Sequence, residues 1–105
     1  MRYLFLLNPT AGKRDCTAEL APAIQAAAQR AGIPPEKRKV VVTQYAGHAR
    51  ELAAEAAHTA QADGEPVRIW TAGGDGTFNE ALTGAQGCSL AAVGCLPFGS
   101  GNDFL

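Results

Sequence analysis

The residues best suited to chemistry in this sequence are an aspartate and the glycines around it, within TAGGDGTFNEALTG at positions 71–84. Glycine loses more conformational freedom on folding than any other residue, so the cluster of Gly73, Gly74 and Gly76 needs a reason. Either the chain turns very sharply here, or a ligand comes close to its backbone. Phosphate oxygens suit the second case, because they accept several N–H hydrogen bonds at once and no Cβ blocks their approach.

The same stretch predicts that a helix starts at Thr77. Thr77 and Glu80 have the T-x-x-E spacing of a capping box. The positive end of that helix and the glycine amides together predict an anion site. Asp75 would repel a phosphate unless a cation lay between them, so it is either a ligand of Mg²⁺ or a base that accepts a proton from an attacking hydroxyl. The structural alternative is an aspartate that hydrogen-bonds to its own turn.

A second glycine-rich turn, GSGND at positions 99–103, follows another apolar run and favours the phosphate interpretation. The sequence contains neither of the two commonest nucleotide-binding motifs. A P-loop requires GxxxxGK[ST], but Arg14 stands where a serine or threonine would follow Lys13. A dinucleotide fingerprint requires GxGxxG, and its third glycine is missing at both places.

The elements that must position these turns alternate along the chain. Runs of apolar or β-branched residues predict four strands, at positions 3–7, 39–43, 67–72 and 90–96. Alanine-rich segments predict three helices, at positions 17–31, 49–62 and 78–83. Because proline is tolerated only in a first turn, Pro22 predicts that the regular part of the first helix begins near Ala21. The alternation predicts an α/β fold with a doubly wound, mostly parallel sheet, whose ligands lie at the carboxyl ends of the strands.

Length, composition and charge exclude several classes of protein. The 105 residues suit one domain, and a net charge of -1 without a basic run argues against a nucleic-acid partner. The first apolar run is too short for a signal peptide or a membrane span. Three cysteines without a CxxC pair argue against a zinc site and fit a reducing compartment, so we expect a cytoplasmic protein.

Four segments of the chain, in order, resemble the signatures of the diacylglycerol kinase catalytic domain family, which includes bacterial lipid kinases and sphingosine and ceramide kinases. The segments are NPTAGK at 8–13, TQYAGHA at 43–49, GGDGTFNE at 73–80 and LPFGSGNDF at 96–104. GGDGT alone is shared with NAD kinases, whereas the four segments in this order are specific. The resemblance covers nearly the whole chain. It implies the α/β fold of the NAD kinase and diacylglycerol kinase type, and an ATP-dependent kinase that phosphorylates the hydroxyl of a lipid such as diacylglycerol or a sphingoid base.

The resemblance also implies roles for individual residues. Asn8 and Thr43 would contact the nucleotide, and the hydroxyl of Ser100 would bind a phosphate or ribose oxygen. Asp75 would act as the catalytic base or organise Mg²⁺, with Asp103 near the metal. The third segment would wrap the phosphates of ATP through Gly73, Gly74, Asp75, Gly76, Thr77, Phe78 and Asn79.

Other conspicuous side chains are predicted to be structural. We expect His48 to cap or pack at the start of a helix, and Glu80 to be the capping partner of Thr77. The rings of Trp70 and Phe78 are expected in the core and not stacked on an adenine.

The chain departs from the family pattern in its first and last segments. Ala11 stands where the family usually has a small hydroxyl residue, and Ser100 where it usually has threonine. The β-rich second domain that binds the lipid in the family is absent from these 105 residues, so we expect an ATP-binding half that is inactive alone. A lipid substrate implies contact with a membrane surface, and a bare sheet edge could pair two copies into a homodimer. An NAD-kinase-like enzyme and a non-catalytic nucleotide-binding module stay open as alternatives.

Overall fold

The computed structural model of the protein describes residues 1–8, 17–72 and 74–96, with the backbone alone for residues 17–20 and 74–75. The strands are β1 (Arg2–Leu7), β2 (Arg38–Val42), β3 (Val67–Ala72) and β4 (Ala91–Cys95). The helices are α1 (Thr17–Arg30), α2 (His48–Asp63) and α3 (Gly74–Ala85), and a short 3₁₀ helix at Pro35–Lys37 precedes β2. Strands and helices therefore alternate along the described chain, as the sequence pattern predicts.

The four strands form one sheet in the order β2-β1-β3-β4, and every neighbouring pair is parallel. From β1 the chain moves to β2 on one side and then crosses back over β1 to reach β3 on the other side. The direction of winding therefore reverses between β1 and β3, whose last residues, Leu7 and Ala72, pair with each other. The predicted doubly wound α/β fold is confirmed, and its ligand site is expected at this switch point.

The two faces of the sheet bury different apolar side chains, because alternate residues of a strand point to opposite sides. Leu4 and Leu6 of β1 lie in a core shared with Ile69 of β3 and with helices α2 and α3. Phe5 and Leu7 face the other way and pack with Ile24 of α1. The result is a sheet between two helical layers, with α1 on one face and α2 and α3 on the other. Because the strands are parallel, their carboxyl ends share one edge of the sheet and their amino ends the opposite edge.

Helices α2 and α3 lie close together because small residues face each other across their contact. The buried residues of α2 are all alanines: Ala49, Ala53, Ala57 and Ala60. On α3, a Cβ built on Gly84 would collide with the backbone carbonyl oxygen of Arg50 and would lie 3.0 Å from the Cβ of Ala53. The two backbones therefore approach to a distance that leaves no room for a side chain at position 84.

The four strands and α2 lie within one residue of their predicted bounds. Glycine ends α2 as expected, with Gly64 in the left-handed conformation at φ 70°. At 16 residues α2 is the longest described helix, and no helix in the described ranges is long and apolar enough to cross a bilayer.

Helix α1 begins earlier than its proline predicts. It starts at Thr17 and contains Pro22 as an interior residue, whereas the sequence predicts a regular start near Ala21. Pro22 lies on the exposed side of the helix. Water can therefore solvate the carbonyl that the missing proline N–H leaves without a helical partner, which makes the interior proline tolerable.

Helix α3 also begins earlier, at Gly74 and not at Thr77, so the predicted capping box is wrong. Thr77 lies inside the helix, where it is buried four residues before the buried Ala81. Thr77 therefore belongs to a stripe of buried residues that continues along the helix through Ala81 and Ala85, as an interior residue and not a cap. Glycine has a low helix propensity, but propensity is a weak guide that tertiary context overrides.

Candidate functional site

The turns that follow β1, β2 and β3 begin side by side at the carboxyl edge of the sheet. The N–H of Asn8 donates to the carbonyl of Ala72 at 2.8 Å, and the N–H of Thr43 donates to the carbonyl of Leu7 at 2.8 Å. These two bonds continue the parallel ladder one residue past the ends of the strands. Three segments that are far apart in sequence are thereby brought to one place by the sheet itself.

The side chain of Asn8 connects the turn after β1 to helix α3. Its Nδ2 donates a hydrogen bond to Oγ1 of Thr77 over 3.1 Å. Thr77 is only 3% exposed and Asn8 is half-buried. Two residues that the family resemblance assigns to the nucleotide therefore contact each other, and the bond holds the first turn of α3 against the end of β1.

Thr43 is anchored to β1 through both its backbone and its side chain. In addition to the backbone bond, its Oγ1 donates to the carbonyl of Leu7 at 3.3 Å, and the residue is buried. The proton of the hydroxyl is used inside the protein, so the group that Thr43 can still offer to a ligand is a lone pair of its oxygen.

The turn between β2 and α2 is stabilised by its own side chains. The N–H of Gln44 donates to Nδ1 of His48 at 3.0 Å, and the rings of Tyr45 and His48 stack with their centroids 4.4 Å apart. The Tyr45 hydroxyl donates to Oε1 of Glu51 at 2.7 Å, and this bond raises the pKa of Tyr45. His48 therefore packs at the start of α2, as predicted.

Glu80 belongs to the same turn, although it lies on α3. Its Oε2 accepts the backbone N–H of Gly47 at 3.3 Å, across 33 residues of sequence. Glu80 was predicted to cap Thr77, and that prediction is wrong, because α3 begins upstream of both residues. No local sequence signal points to Gly47 as its partner, since the T-x-x-E spacing indicates an interaction within one turn of helix.

The first turn of α3 is made of the glycine-rich segment itself. The N–H groups of Gly74, Asp75 and Gly76 have no acceptor within their own helix, because they precede its first hydrogen bond. Gly76 is exposed and is not among the described glycines with positive φ. Apart from its chain neighbours and the backbone of its own helix, no described atom lies within 4 Å of a Cβ built on Gly76. Neither its backbone conformation nor its described surroundings require glycine at this position. The space beside the Gly76 backbone, called the phosphate cradle below, is space that the methyl group of an alanine would fill.

Other residues predicted for the site are placed less completely. Phe78 is half-buried and Asn79 exposed, one turn further along α3. Gly73, Ser100 and Asp103 lie outside the described ranges, and only the backbone of Asp75 is described, so the roles of these four residues stay predictions. Among the described side chains, no group of three or more His, Cys, Asp or Glu could hold a metal ion. The predicted metal ligands, Asp75 and Asp103, are not among the described side chains.

Trp70 has a packing role, as predicted. It packs against the core on the α1 face of the sheet, and its ring lies beside Gly94 of β4, so that a Cβ on Gly94 would be 2.7 Å from a ring carbon. The ring of Trp70 therefore takes the space of a side chain on β4 and is not presented to a ligand at the glycine turn.

A cavity of about 200 Å³ lies at the opposite edge of the sheet. It is lined by residues at the amino ends of the strands, including Arg2, Lys39 and Val67, and by Leu52 and Thr59 of α2. Parallel α/β sheets bind their ligands at the carboxyl ends of the strands, because the turns there can vary while the strands support them. The cavity is therefore separate from the candidate site.

The sequence of the whole chain is similar to that of known proteins. A family model described as the diacylglycerol kinase catalytic domain matches residues 2–105. The sphingoid long-chain bases kinase 1 of Arabidopsis thaliana is 34% identical over 111 residues, covering 99% of this chain and 14% of the plant protein. The diacylglycerol kinase of Staphylococcus carnosus (strain TM300) is 33% identical over 104 residues, covering 98% of this chain and 31% of the bacterial protein. The chain thus spans less than a third of either relative, and the match over nearly its whole length shows that it belongs to the diacylglycerol kinase catalytic domain family.

Proposed function

We propose that this chain binds Mg·ATP at the carboxyl edge of its sheet and is the nucleotide-binding part of a kinase that transfers the γ-phosphoryl group to a lipid hydroxyl. The observation that carries the proposal is the open position at Gly76. Glycine within a helix costs about 0.5–1 kcal/mol relative to alanine. The described fold has no need of it there, whereas a phosphate oxygen bound to the backbone N–H groups of this turn would need the space that a Cβ occupies.

The surroundings of Gly76 support a phosphate ligand. The turn lies at the point where the sheet reverses its winding, at the positive end of a helix of 12 residues. Asn8 and Thr43 lie at the ends of the two neighbouring strands, where they would flank the nucleotide. A triphosphate could therefore be held by N–H groups and polar side chains from three separate segments, without a lysine-bearing P-loop.

The remaining roles follow the family resemblance. The backbone from Gly73 to Asn79, including Thr77 and Phe78, would surround the phosphates, and Ser100 would bind a phosphate or ribose oxygen. Asp75 would either take the proton of the attacking hydroxyl or, with Asp103, organise Mg²⁺. When bound, the cation would neutralise charge on the phosphates, which is the main requirement of phosphoryl transfer together with correct positioning.

The acceptor is proposed to be an alcohol group of a lipid. One relative is named for sphingoid bases and the other for diacylglycerol, and these substrates share a hydroxyl group beside long apolar chains. We propose that the lipid is bound by a β-rich second domain. This chain spans 14% and 31% of its two relatives, so both relatives are long enough to contain such a domain. The family match favours a lipid over NAD as the acceptor. Contact with a membrane surface, pairing of two copies and a cytoplasmic location stay predictions.

The proposal is tested by adding one methyl group at the open position. We expect Gly76→Ala to weaken Mg·ATP binding at least tenfold in titration calorimetry, because the methyl group occupies the phosphate cradle. Its thermal unfolding temperature should stay the same or rise, since alanine reduces the conformational freedom of the unfolded chain. An affinity equal to that of the wild type would contradict a phosphate site at this turn. Loss of both affinity and stability would show that the glycine serves the fold.

A further inference from the structure

We propose that Glu80 is a positioning residue of the nucleotide site: through the N–H of Gly47 it holds the turn that carries Thr43 against the phosphate-binding end of α3. The inference rests on the proposed function, because it concerns the same site. It assigns Glu80 neither to the cap of its own helix nor to contact with the nucleotide or the metal.

Gly47 is a position where an external acceptor is needed. It is the N-cap of α2, with a φ of 90°, and its own N–H precedes the first hydrogen bond of the helix, so α2 offers it no acceptor. The carboxylate of Glu80 supplies an acceptor for the Gly47 N–H at 3.3 Å. Both residues are half-buried, so the bond is partly shielded from competing water.

One face of helix α3 forms hydrogen bonds with both the turn after β1 and the turn after β2. Thr77 and Glu80 are three residues apart, which places their side chains on the same side of the helix. Thr77 accepts the bond from Asn8 in the turn after β1, and Glu80 accepts the bond from Gly47 in the turn after β2. The helix whose N-terminus is proposed to bind phosphate therefore also determines where the neighbouring turns lie.

The turn after β2 has one anchor at each end. Thr43 is bonded to Leu7 at the sheet, and Gly47 is bonded to Glu80 on α3. Without Glu80 the Thr43 end would keep its bond to the sheet, but the Gly47 end would lose its hydrogen bond to α3. We therefore expect the carboxylate to matter as an acceptor of correct length and not as a charge.

This distinction gives opposite rankings for two conservative variants. Glu80→Gln keeps an acceptor oxygen at the same distance and loses the charge, whereas Glu80→Asp keeps the charge and is one methylene too short to reach Gly47. If Glu80 positions the turn, Glu80→Gln should bind Mg·ATP within about twofold of the wild type, and Glu80→Asp and Glu80→Ala should bind roughly tenfold more weakly. A residue that bound the metal or moved a proton would show the reverse order.

The test combines calorimetry of Mg·ATP binding with NMR of the Gly47 amide in the same full-chain variants. Without nucleotide, the exchange of the Gly47 N–H with solvent should accelerate at least tenfold in Glu80→Ala and Glu80→Asp and stay slow in Glu80→Gln. Glu55→Ala removes an equivalent carboxylate from the exposed side of α2 and should change neither measurement.

Each outcome decides one of the two proposals. If Glu80→Asp binds Mg·ATP better than Glu80→Gln, or if the Gly47 exchange rate is the same in Glu80→Ala and the wild type, the positioning role is overturned. If the wild type itself does not bind Mg·ATP, the proposed function fails. In that case the Gly47 exchange rates still show whether Glu80 holds the turn.

Discussion

The side-chain amide of Asn8, one residue past the end of β1, donates a hydrogen bond to the hydroxyl of Thr77 in the first turn of α3, with 3.1 Å between Nδ2 and Oγ1. The bond links residues 69 positions apart, from the first and third of the four family segments. It lies where the sheet reverses its winding, next to the N–H groups of the glycine turn that precede the first hydrogen bond of α3. The first and third segments of the family are therefore held together by a direct contact at this edge of the sheet.

This bond should make a measurable contribution to stability even without nucleotide. Thr77→Val keeps the shape of the side chain and removes its acceptor oxygen, which should lower the free energy of unfolding by about 0.5–1.5 kcal/mol. Urea unfolding of the wild type, Thr77→Val, Asn8→Ala and the double variant gives the coupling between the two side chains. Purely additive effects would mean that the two side chains contribute independently.

The contact between α2 and α3 should not tolerate a methyl group at Gly84. Although alanine favours a helix, a Cβ at this position would collide with the carbonyl oxygen of Arg50. We expect Gly84→Ala to lower the free energy of unfolding by about 1–3 kcal/mol, as overpacked core positions do. Gly76→Ala, the same substitution on the same helix, is the matched control and should not destabilise the protein. Equal stabilities of the two variants would contradict the close contact.

A cluster of charges around Glu65 should make stability depend on pH in the acid range. Hydrogen bonds, first from Lys37 and then from the amino group of Met1, lower the pKa of Glu65 from 4.5 to about 2. Because the pKa is lower in the folded state, this stabilisation is fully present above about pH 4.5 and is lost as the pH falls towards 2. The difference in urea midpoint between the wild type and Glu65→Gln should therefore shrink over that interval.

The control for this prediction removes the main partner of the carboxylate. In a Lys37→Met background the effect of Glu65→Gln should depend much less on pH, since the strongest cause of the pKa shift is gone. A difference between wild type and Glu65→Gln that stays constant from pH 7 to pH 2 would show that the ion pairs do not contribute to folding.

Asp75 should be essential for phosphoryl transfer if the proposed function is correct. In the full-length protein, Asp75→Asn should reduce phosphorylation of a lipid acceptor by about 10²–10⁴-fold, because it removes either the base or an organiser of Mg²⁺. The circular dichroism spectrum and unfolding temperature should stay close to those of the wild type. Asp63→Asn, at the far end of α2, is the matched control and should retain activity. Near-normal turnover of Asp75→Asn would remove Asp75 from the mechanism.

Much of the fold could be predicted because its signals are local. A continuous apolar run of five residues marks β1, β-branched and aromatic residues mark β3, and glycines mark both ends of α2, so these bounds agree with the structure within one residue. The alternation of strands and helices was sufficient to predict a doubly wound sheet, since parallel strands require crossover helices. The family could also be predicted, because its four segments are contiguous stretches of sequence.

The misplaced helix starts and the partner of Glu80 depend on contacts between distant parts of the chain. The T-x-x-E spacing predicts a local cap, but α3 begins at Gly74, Thr77 is a buried interior residue, and Glu80 bonds with Gly47. Gly76 and Gly84 look alike in sequence, yet one faces open space and the other a backbone carbonyl. The spacing of apolar residues distinguishes a helix from a strand, and glycine and proline mark the turns between them. Which groups meet across 33 or 69 residues is decided only when the sheet and its helices pack, because that packing sets the distances between them.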